Sequence, residues 1–382
     1  MITKKNISVV LGTRPEIIKL AGVIRLLGAE GEVVYTGQHS DADLSSSFFE
    51  SFHLRKPDLR LTGIGGAPRG AQISHAIAQL SEHFMATRPR LVVVQGDTNA
   101  TSAGAQAANY CDIPVLHVEA GLRSHDRSMP EEINRRVVAV LSAMNCAPTV
   151  RSAENLASEG ISPARIRITG NTVVEALKES LPSQEDSLKV INDYGLRDNE
   201  FVMATIHRPE NTDDEIRLSV ILDELSKIPL PVLFPIHPRT AIRADSFGLE
   251  GKIKRLLYSP PLDHPTFLAL ASHARLIISD SGGIQEECTV LKKPLIVVRE
   301  NTERPEACEA GFATLVKAGS DISAQAFRLL EDMELSRSLE TLPCPFGDGK
   351  ASERIADIAL SMASGEVPPY SEFGDLSNSS VR

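Results

Sequence analysis

Cysteine is scarce in this sequence and follows no pattern. Cys111, Cys146, Cys288, Cys308 and Cys344 are scattered, with no C-x-x-C and no paired spacing. That speaks against a disulfide framework and against a zinc site, and it fits a reducing compartment. No apolar run approaches the length of a membrane span. The run at 7–11 is too short for a signal-peptide core, so a cytoplasmic protein is expected. Positive charge is not in excess either: 40 Lys and Arg face 50 Asp and Glu, for a formal net charge of -10. A general nucleic-acid binder would carry a basic face, so that class is disfavoured. A local cluster of Arg and His can still bind phosphate against an acidic background.

Several nucleotide and metal signatures are also missing. The nearest approach to G-x-G-x-x-G, at 63–68, puts Pro68 at the last glycine position and follows no strand signal, so NAD is not expected. There is no G-x-x-x-x-G-K-[ST] and no H-E-x-x-H. No tandem repeat is visible.

What is present is an ordinary globular composition, 42% hydrophobic and 24% charged over 382 residues. That length suits two domains with sizeable cores. Short β-branched runs alternate with amphipathic stretches. The runs lie at 7–11, 32–35, 91–94, 115–118 and 165–169, then at 201–206, 232–236, 254–258, 276–278 and 295–298. Helical patterns lie between them, at 15–27, 75–88, 102–111 and 130–144, and then at 214–228, 264–274, 284–291 and 324–339. Continuous apolar strands alternating with helices predict parallel sheets covered on both faces. The fold class expected is α/β with two doubly wound, Rossmann-like domains. The boundary falls at about 170–181, giving domains at 1–172 and 173–350. A last helix at 351–364 is expected to cross back to the first domain, and 365–382 reads as a tail rich in Pro, Ser and Asn.

In such sheets ligands bind beyond the carboxyl ends of the strands, and the polar motifs sit there. Gly12-Thr13-Arg14-Pro15-Glu16 joins the first strand to a helix. Its free amides and Arg14 suit a phosphate, with Lys19 just inside the helix; an ordinary strand-to-helix turn would look the same. Ser279-Asp280-Ser281-Gly282-Gly283 opens another helix. There Ser281 and the helix amides make a diphosphate cradle, and Glu287, one turn later, can take the hydroxyls of a ribose. The competing reading is a glycine turn with a serine cap. Arg304 is a candidate second phosphate clamp, or part of a solvated charged loop. Asp97, Glu119 and Glu131 are the acid/base candidates. Clustered carboxylates push their pKa values apart, leaving one protonated while another acts as base. Glu131 and Glu132 also suit a first helical turn for dipole reasons alone. His207 follows a strand beside Arg208, where a leaving diphosphate could lie or where it could be merely structural. His237 has the same setting on the next strand.

The motifs GTRPEIIKL (12–20), TGQH (36–39), QGDT (95–98), HVEAGLR (117–123), PEEINR (130–135), TGNTV (169–173), HRPEN (207–211), SDSGGIQEE (279–287) and TERPE (302–306) resemble, in order, the non-hydrolysing UDP-N-acetylglucosamine 2-epimerases. The resemblance implies a glycosyltransferase-B type fold with the active site in an interdomain cleft, a homodimer, and neither metal nor nicotinamide. It also implies a route. The C2 proton of the sugar is not beside a carbonyl, so direct deprotonation is very hard. The family instead eliminates UDP across C1 and C2 to give 2-acetamidoglucal, then adds it back with the proton on the other face. Arg14, His207, Ser281, Gly282, Gly283 and Arg304 match the family's phosphate-binding positions, Glu287 the ribose position, and Lys19 a position near the active site. Asp97, Glu119 and Glu131 match its acid/base positions, with the C2 base left open between them.

The same chemistry on a modified sugar, such as a UDP-diacetamido-glucuronic acid, is a close variant. A hydrolysing relative, a glycosyltransferase of the same fold and a sugar-nucleotide sensor are the other readings, and the acid/base carboxylates weigh against the last two. Two departures stand out. Pro209 replaces the second Arg of the H-R-R-E-N found in many bacterial members, and Ser40-Asp41-Ala42-Asp43 follows His39 where a basic residue is usual. Some bacterial members bind a second substrate molecule as activator through these regions, so weak or absent activation is expected here.

Overall fold

The computed structural model of the chain describes residues 5–38, 49–127, 129–317, 321–332 and 334–366. His39 to Asp43 and most of the expected tail lie outside the described residues.

The chain is α/β and divides into two compact units. One is built from Met1–Ala176 with Phe346–Arg382, the other from Leu177–Pro345. The first unit holds β1 (Ile7–Leu11), β2 (Gly31–Tyr35), β3 (Leu59–Arg60), β4 (Leu91–Gln95), β5 (Val115–Val118), β6 (Met144–Ala147) and β7 (Ile166–Ile168). They form one parallel sheet in the order β3-β2-β1-β4-β5-β6-β7. The second unit holds β8 (Val202–Thr205), β9 (Val232–Pro235), β10 (Leu257–Ser259), β11 (Leu276–Ser279), β12 (Leu295–Val298) and β13 (Ala313–Val316). Their parallel order is β10-β9-β8-β11-β12-β13.

Apolar continuity in these strands follows from burial on both faces. In the first unit Val9, Leu11, Val33 and Val93 pack under helices Arg14–Leu27 and Ala351–Ser364. Their alternates Val10, Val34, Val92 and Val94 pack on the other face with Leu80, Phe84 and Ala103, which come from helices Arg69–Thr87 and Asn99–Tyr110. Helix Ala351–Ser364 contributes Ile355, Ala356, Ile358 and Ala359 to the first unit's core. It approaches helix Arg14–Leu27 so closely that a Cβ on Gly22 would lie 2.5 Å from Ser352 Oγ. In the second unit Val202, Ala204, Phe234, Ile278 and Ile296 pack with Leu218, Ile221, Leu222 and Leu225 of helix Glu215–Ser226.

Two elements differ from the expectation. The helix expected over 130–144 ends at Leu141 and gives way to β6, and the strand expected over 254–258 is β10, preceded by a helical turn at Glu250–Ile253.

Strand order reverses between β1 and β4 in one sheet and between β8 and β11 in the other. A reversal sends successive helices to opposite faces and opens a crevice at the carboxyl ends of the two strands. Gly12–Glu16 and Gln95–Thr98 sit at the first crevice, and His207–Asn211 and Ser279–Gly283 at the second.

Candidate active site

In the first unit a buried carboxylate ties the two crevice loops together. Glu16 occupies the first turn of helix Arg14–Leu27 and turns back to accept from Gly12 N (3.0 Å), Thr13 N (2.8 Å) and Thr13 Oγ1 (2.7 Å). Its other oxygen accepts from Thr98 Oγ1 at 2.9 Å and Thr101 Oγ1 at 3.2 Å, both beyond β4. Burial pushes the Glu16 carboxyl up, against the pull of these hydrogen bonds. Gly12 is required by contact: a Cβ there would lie 2.3 Å from Thr36 Oγ1 and 2.6 Å from Ala100 Cβ. Arg14 is half-buried at the start of this helix.

The three acid/base candidates have three different electrostatic surroundings. Asp97 Oδ2 receives Arg135 Nε at 2.9 Å and the same guanidinium's Nη2 at 2.6 Å, while Asn134 Nδ2 holds the Asp97 carbonyl at 2.9 Å. Glu119 is buried and receives Lys19 Nζ at 2.9 and 2.7 Å and Gln95 Nε2 at 2.6 Å. Its backbone has φ +62°, a left-handed conformation rare for a residue with a Cβ. The turn around it is tight, since a Cβ on Gly121 would lie 2.1 Å from Ser152 O. Glu131, half-buried in the first turn of helix Pro130–Leu141, has no hydrogen bond or ion pair among the described residues.

Below this group His117 lies fully buried in β5, its Nε2 2.8 Å from Gly96 O. Burial lowers its pKa to about 4, so the ring is neutral and donates that bond.

In the second unit Asp280 plays the part that Glu16 plays in the first. It is fully buried just past β11 and gathers the turn past β8. Its carboxylate accepts from His207 N at 3.1 and 3.0 Å, Arg208 N at 2.9 Å and Asn211 Nδ2 at 2.9 Å. His207 Nδ1 lies 3.1 Å from Asp280 Oδ1. Burial alone would raise Asp280, but His207, Asn211 and the Arg208 amide hold it below the usual carboxylate range. An ionised acceptor fixes the proton of His207 on Nδ1, which leaves Nε2 to meet a ligand. The His237 ring stands 5.2 Å from that of His207, and its Nδ1 accepts from Arg239 N.

Helix Gly282–Leu291 begins two residues earlier than its apolar pattern suggests. Ser281 sits at its N-cap without capping it, so the hydroxyl and the first helical amides are not committed to each other. Gly282 and Gly283 differ in what they permit. A Cβ on Gly282 would lie 2.7 Å from Arg304 Nη1 and 2.8 Å from Glu303 Oε1, whereas one on Gly283 would meet nothing closer than Glu287 Oε1 at 3.8 Å. Arg304 is buried, with Nε 2.7 Å from Glu286 Oε1 and Nη1 2.6 Å from Glu303 Oε1. Arg299 Nη1 holds the other Glu303 oxygen at 2.7 Å, and Arg208 Nη2 stands 3.6 Å from Oε1. Burial, with Arg299 nearby, lowers the Arg208 pKa.

Within each unit the motif residues therefore come together: Arg14, Lys19, Asp97, Glu119 and Glu131 in the first, His207, Ser281, Gly282, Gly283, Glu287 and Arg304 in the second. The partners that hold them, Gln95, Arg135, Asp280, Arg299 and Glu303, carry no role in the sequence reading. They lie within the same motifs or next to them, which was the only available signal.

A family model described as UDP-N-acetylglucosamine 2-epimerase matches residues 27–360. A UDP-N-acetylglucosamine 2-epimerase of Methanocaldococcus jannaschii is 38% identical over 365 residues, 92% of this chain and 98% of that one. The UDP-2,3-diacetamido-2,3-dideoxy-D-glucuronate 2-epimerase of Pseudomonas aeruginosa is 33% identical over 360 residues, 92% of this chain and 98% of its own. Among solved structures, the Methanocaldococcus jannaschii epimerase in complex with UDP-GlcNAc and UDP superposes with a TM-score of 0.82, covering 93% of this chain and 99% of that one.

Proposed function

The chain belongs to the UDP-N-acetylglucosamine 2-epimerase family, and from that membership we propose that it interconverts UDP-N-acetylglucosamine and UDP-N-acetylmannosamine through elimination and re-addition of UDP. The observation that carries the mechanism is the division among the three carboxylates. Asp97 is held by Arg135, Glu119 by Lys19 and Gln95, and Glu131 has no partner among the described residues. A reaction that removes a proton from one face of C2 and returns it to the other needs carboxyl groups in unlike states. Asp97 and Glu119 each face a cation, and Glu131 faces none among the described residues, so the three surroundings differ as such a reaction requires. Glycosyl transfer would need one base and an acceptor site rather than a group on each face of C2.

The second unit supplies the leaving-group side. Ser281 and the amides of Gly282 and Gly283 form a donor set for the departing diphosphate, with His207 at the same crevice. Asp280 orients His207, and Arg304 sets the floor beside Gly282. Glu287, one turn into helix Gly282–Leu291, takes the ribose in this reading. No step in this route calls for a metal or a nicotinamide.

The Pseudomonas aeruginosa relative favours one second reading, the same chemistry on a UDP-diacetamido sugar acid. We also propose a homodimer. Helix Pro130–Leu141 buries Val138 and Ala139 but leaves Ile133, Val137 and Val140 exposed along one stripe, a surface that a second copy would cover. A cytoplasmic location is supported by five free thiols and by the absence of any described helix long and apolar enough to cross a membrane. Substrate activation is weak or absent in this reading, so initial rates should rise hyperbolically with UDP-N-acetylglucosamine; a sigmoidal curve would contradict it.

Proton NMR of the protein with UDP-N-acetylglucosamine in heavy water tests the main proposal. The expected product is UDP-N-acetylmannosamine carrying deuterium at C2. Free N-acetylmannosamine would point to hydrolysis. An unchanged substrate, with turnover of the diacetamido sugar acid, would move the assignment to the second reading.

A further inference from the structure

Glu132 is the most deeply buried acid near the three carboxylates, and nothing in the proposed chemistry uses it. It sits in the first turn of helix Pro130–Leu141 and is 0% exposed. An acid there commonly faces solvent or caps its own helix. Glu132 does neither. Its Oε2 accepts from Ser124 N at 3.0 Å, Ser124 Oγ at 3.2 Å and Arg135 Nη1 at 3.2 Å, and its Oε1 faces Arg136 Nε at 3.4 Å.

Two of those partners, Ser124 and Arg135, lead to acid/base candidates, and the third candidate is the neighbour of Glu132 in sequence. Ser124 ends the turn that begins at Glu119, whose left-handed backbone is not the conformation that residue would choose unaided. Arg135 divides its guanidinium between Glu132, through Nη1, and Asp97, through Nε and Nη2. Glu131 is the residue next to Glu132 on the same helical turn. One buried carboxylate thus fixes the helix that bears Glu131, the turn that bears Glu119 and the cation that holds Asp97.

We infer that Glu132 is a positioning residue that sets the mutual placement of Asp97, Glu119 and Glu131 without touching substrate. The inference rests on the epimerase reading for its kinetic consequence but not for its geometry. A buried carboxylate holds its buried donors, Ser124 and Arg135, to a narrow range of positions, because leaving either unpaired is costly. Displacements of about 1 Å in a catalytic group cost up to about 100-fold in rate.

The test compares wild type, Glu132→Gln and Arg135→Lys. Gln keeps an acceptor at the Oε2 position but carries no charge, so its hold on Arg135 weakens, and its amide NH2 replaces the oxygen that faces Arg136. Lys keeps the charge but lacks the fixed fork that lets Arg135 hold Asp97 through two nitrogens and Glu132 through a third. Both variants should lose between about 10- and 100-fold in kcat while KM and the Kd for UDP stay within about twofold. The deuterium isotope effect on kcat for substrate labelled at C2 should rise in both, as proton transfer becomes more rate-limiting. Unchanged kcat in either folded variant would overturn the inference. So would a loss of kcat matched by an equal loss of UDP affinity, since that would mean general disruption. Crystal structures of the variants supply the arm that does not depend on turnover. In Glu132→Gln the contact between Arg135 and Asp97 should lengthen, or the turn at 119–124 should shift; an unmoved contact and turn would overturn the inference. If wild type left UDP-N-acetylglucosamine untouched, the epimerase reading would fall and the crystallographic comparison would still decide the role of Glu132.

Discussion

Lys19 Nζ lies 2.9 and 2.7 Å from the two carboxylate oxygens of Glu119, although the residues stand 100 positions apart. Both side chains are largely buried, with 12% and 5% exposed. Removing one partner of such a pair leaves the other charge uncompensated, at a cost of about 3–5 kcal/mol. Gln95 still donates to Glu119, so Lys19→Met should fall at the lower end, about 3 kcal/mol, and should abolish most turnover. The double variant Lys19→Met with Glu119→Gln should recover part of the stability and none of the activity. Calorimetric unfolding checks this, and a single variant as stable as wild type would refute the pairing.

Asp97→Asn and Arg304→Ala should fail in opposite ways. The first removes a charge from the proton chemistry and should cut turnover on the order of 100-fold or more while UDP still binds. The second strips Glu286 and Glu303 of a shared cation beside Gly282, so UDP binding should weaken and the second unit should melt earlier. Isothermal titration with UDP and rate assays distinguish the two; the reverse pattern would overturn the division of roles between the units.

The two neighbouring glycines give a sharper contrast. Gly282→Ala drives a methyl into Arg304 and Glu303 and should lower both stability and UDP affinity. Gly283→Ala meets only ordinary contacts within the protein, so stability should hold. If a phosphate sits against that backbone, affinity for UDP should still drop about tenfold, the worth of one charge-assisted hydrogen bond. Equal UDP binding by Gly283→Ala and wild type would move the diphosphate away from this helix.

His117 predicts a pH dependence of stability. Its folded pKa is about 4 against an ordinary 6.5. Between those values the unfolded chain takes up a proton that the folded chain refuses. The stability tied to this residue is therefore intact above pH 6.5 and is lost as pH falls to 4, by about 3 kcal/mol in all. Glu16, raised by burial, acts in the opposite sense over its own titration. His117→Gln can still donate to Gly96 O but does not titrate, so its unfolding free energy should change less than that of wild type over that range. Parallel curves in urea titrations would refute the assignment.

Legibility in the sequence followed the physics of each element. Strands β1, β5 and β12 were expected at their observed limits, because a strand buried on both faces must be apolar throughout. β6, Met144–Ala147, carries no β-branched residue and follows a helix without punctuation, so the helical pattern appeared to run through it. β13 and the helices at Val173–Ser180 and Gln184–Asp193 were also not anticipated. The polar motifs stood out because they sit where strands end. Their holding partners did not, since Gln95 meets Glu119, and Arg135 meets Asp97, across 24 and 38 residues with no local spacing to mark them. Glu132 was plausible as a dipole-favoured surface acid until burial showed which way it turns.

The placement of helix Ala351–Ser364 has a consequence for synthesis. This helix supplies Ile355, Ala356, Ile358 and Ala359 to the core around Leu20, Val23 and Val93, yet it is made after the whole second unit. Domains that lie in one stretch of chain can fold in turn as they leave the ribosome. Here the unit translated first must wait, one face of its sheet still uncovered, until the second unit has been made as well. A stalled or truncated nascent chain would therefore present an apolar groove to chaperones while the scaffold of the first unit is still unfinished.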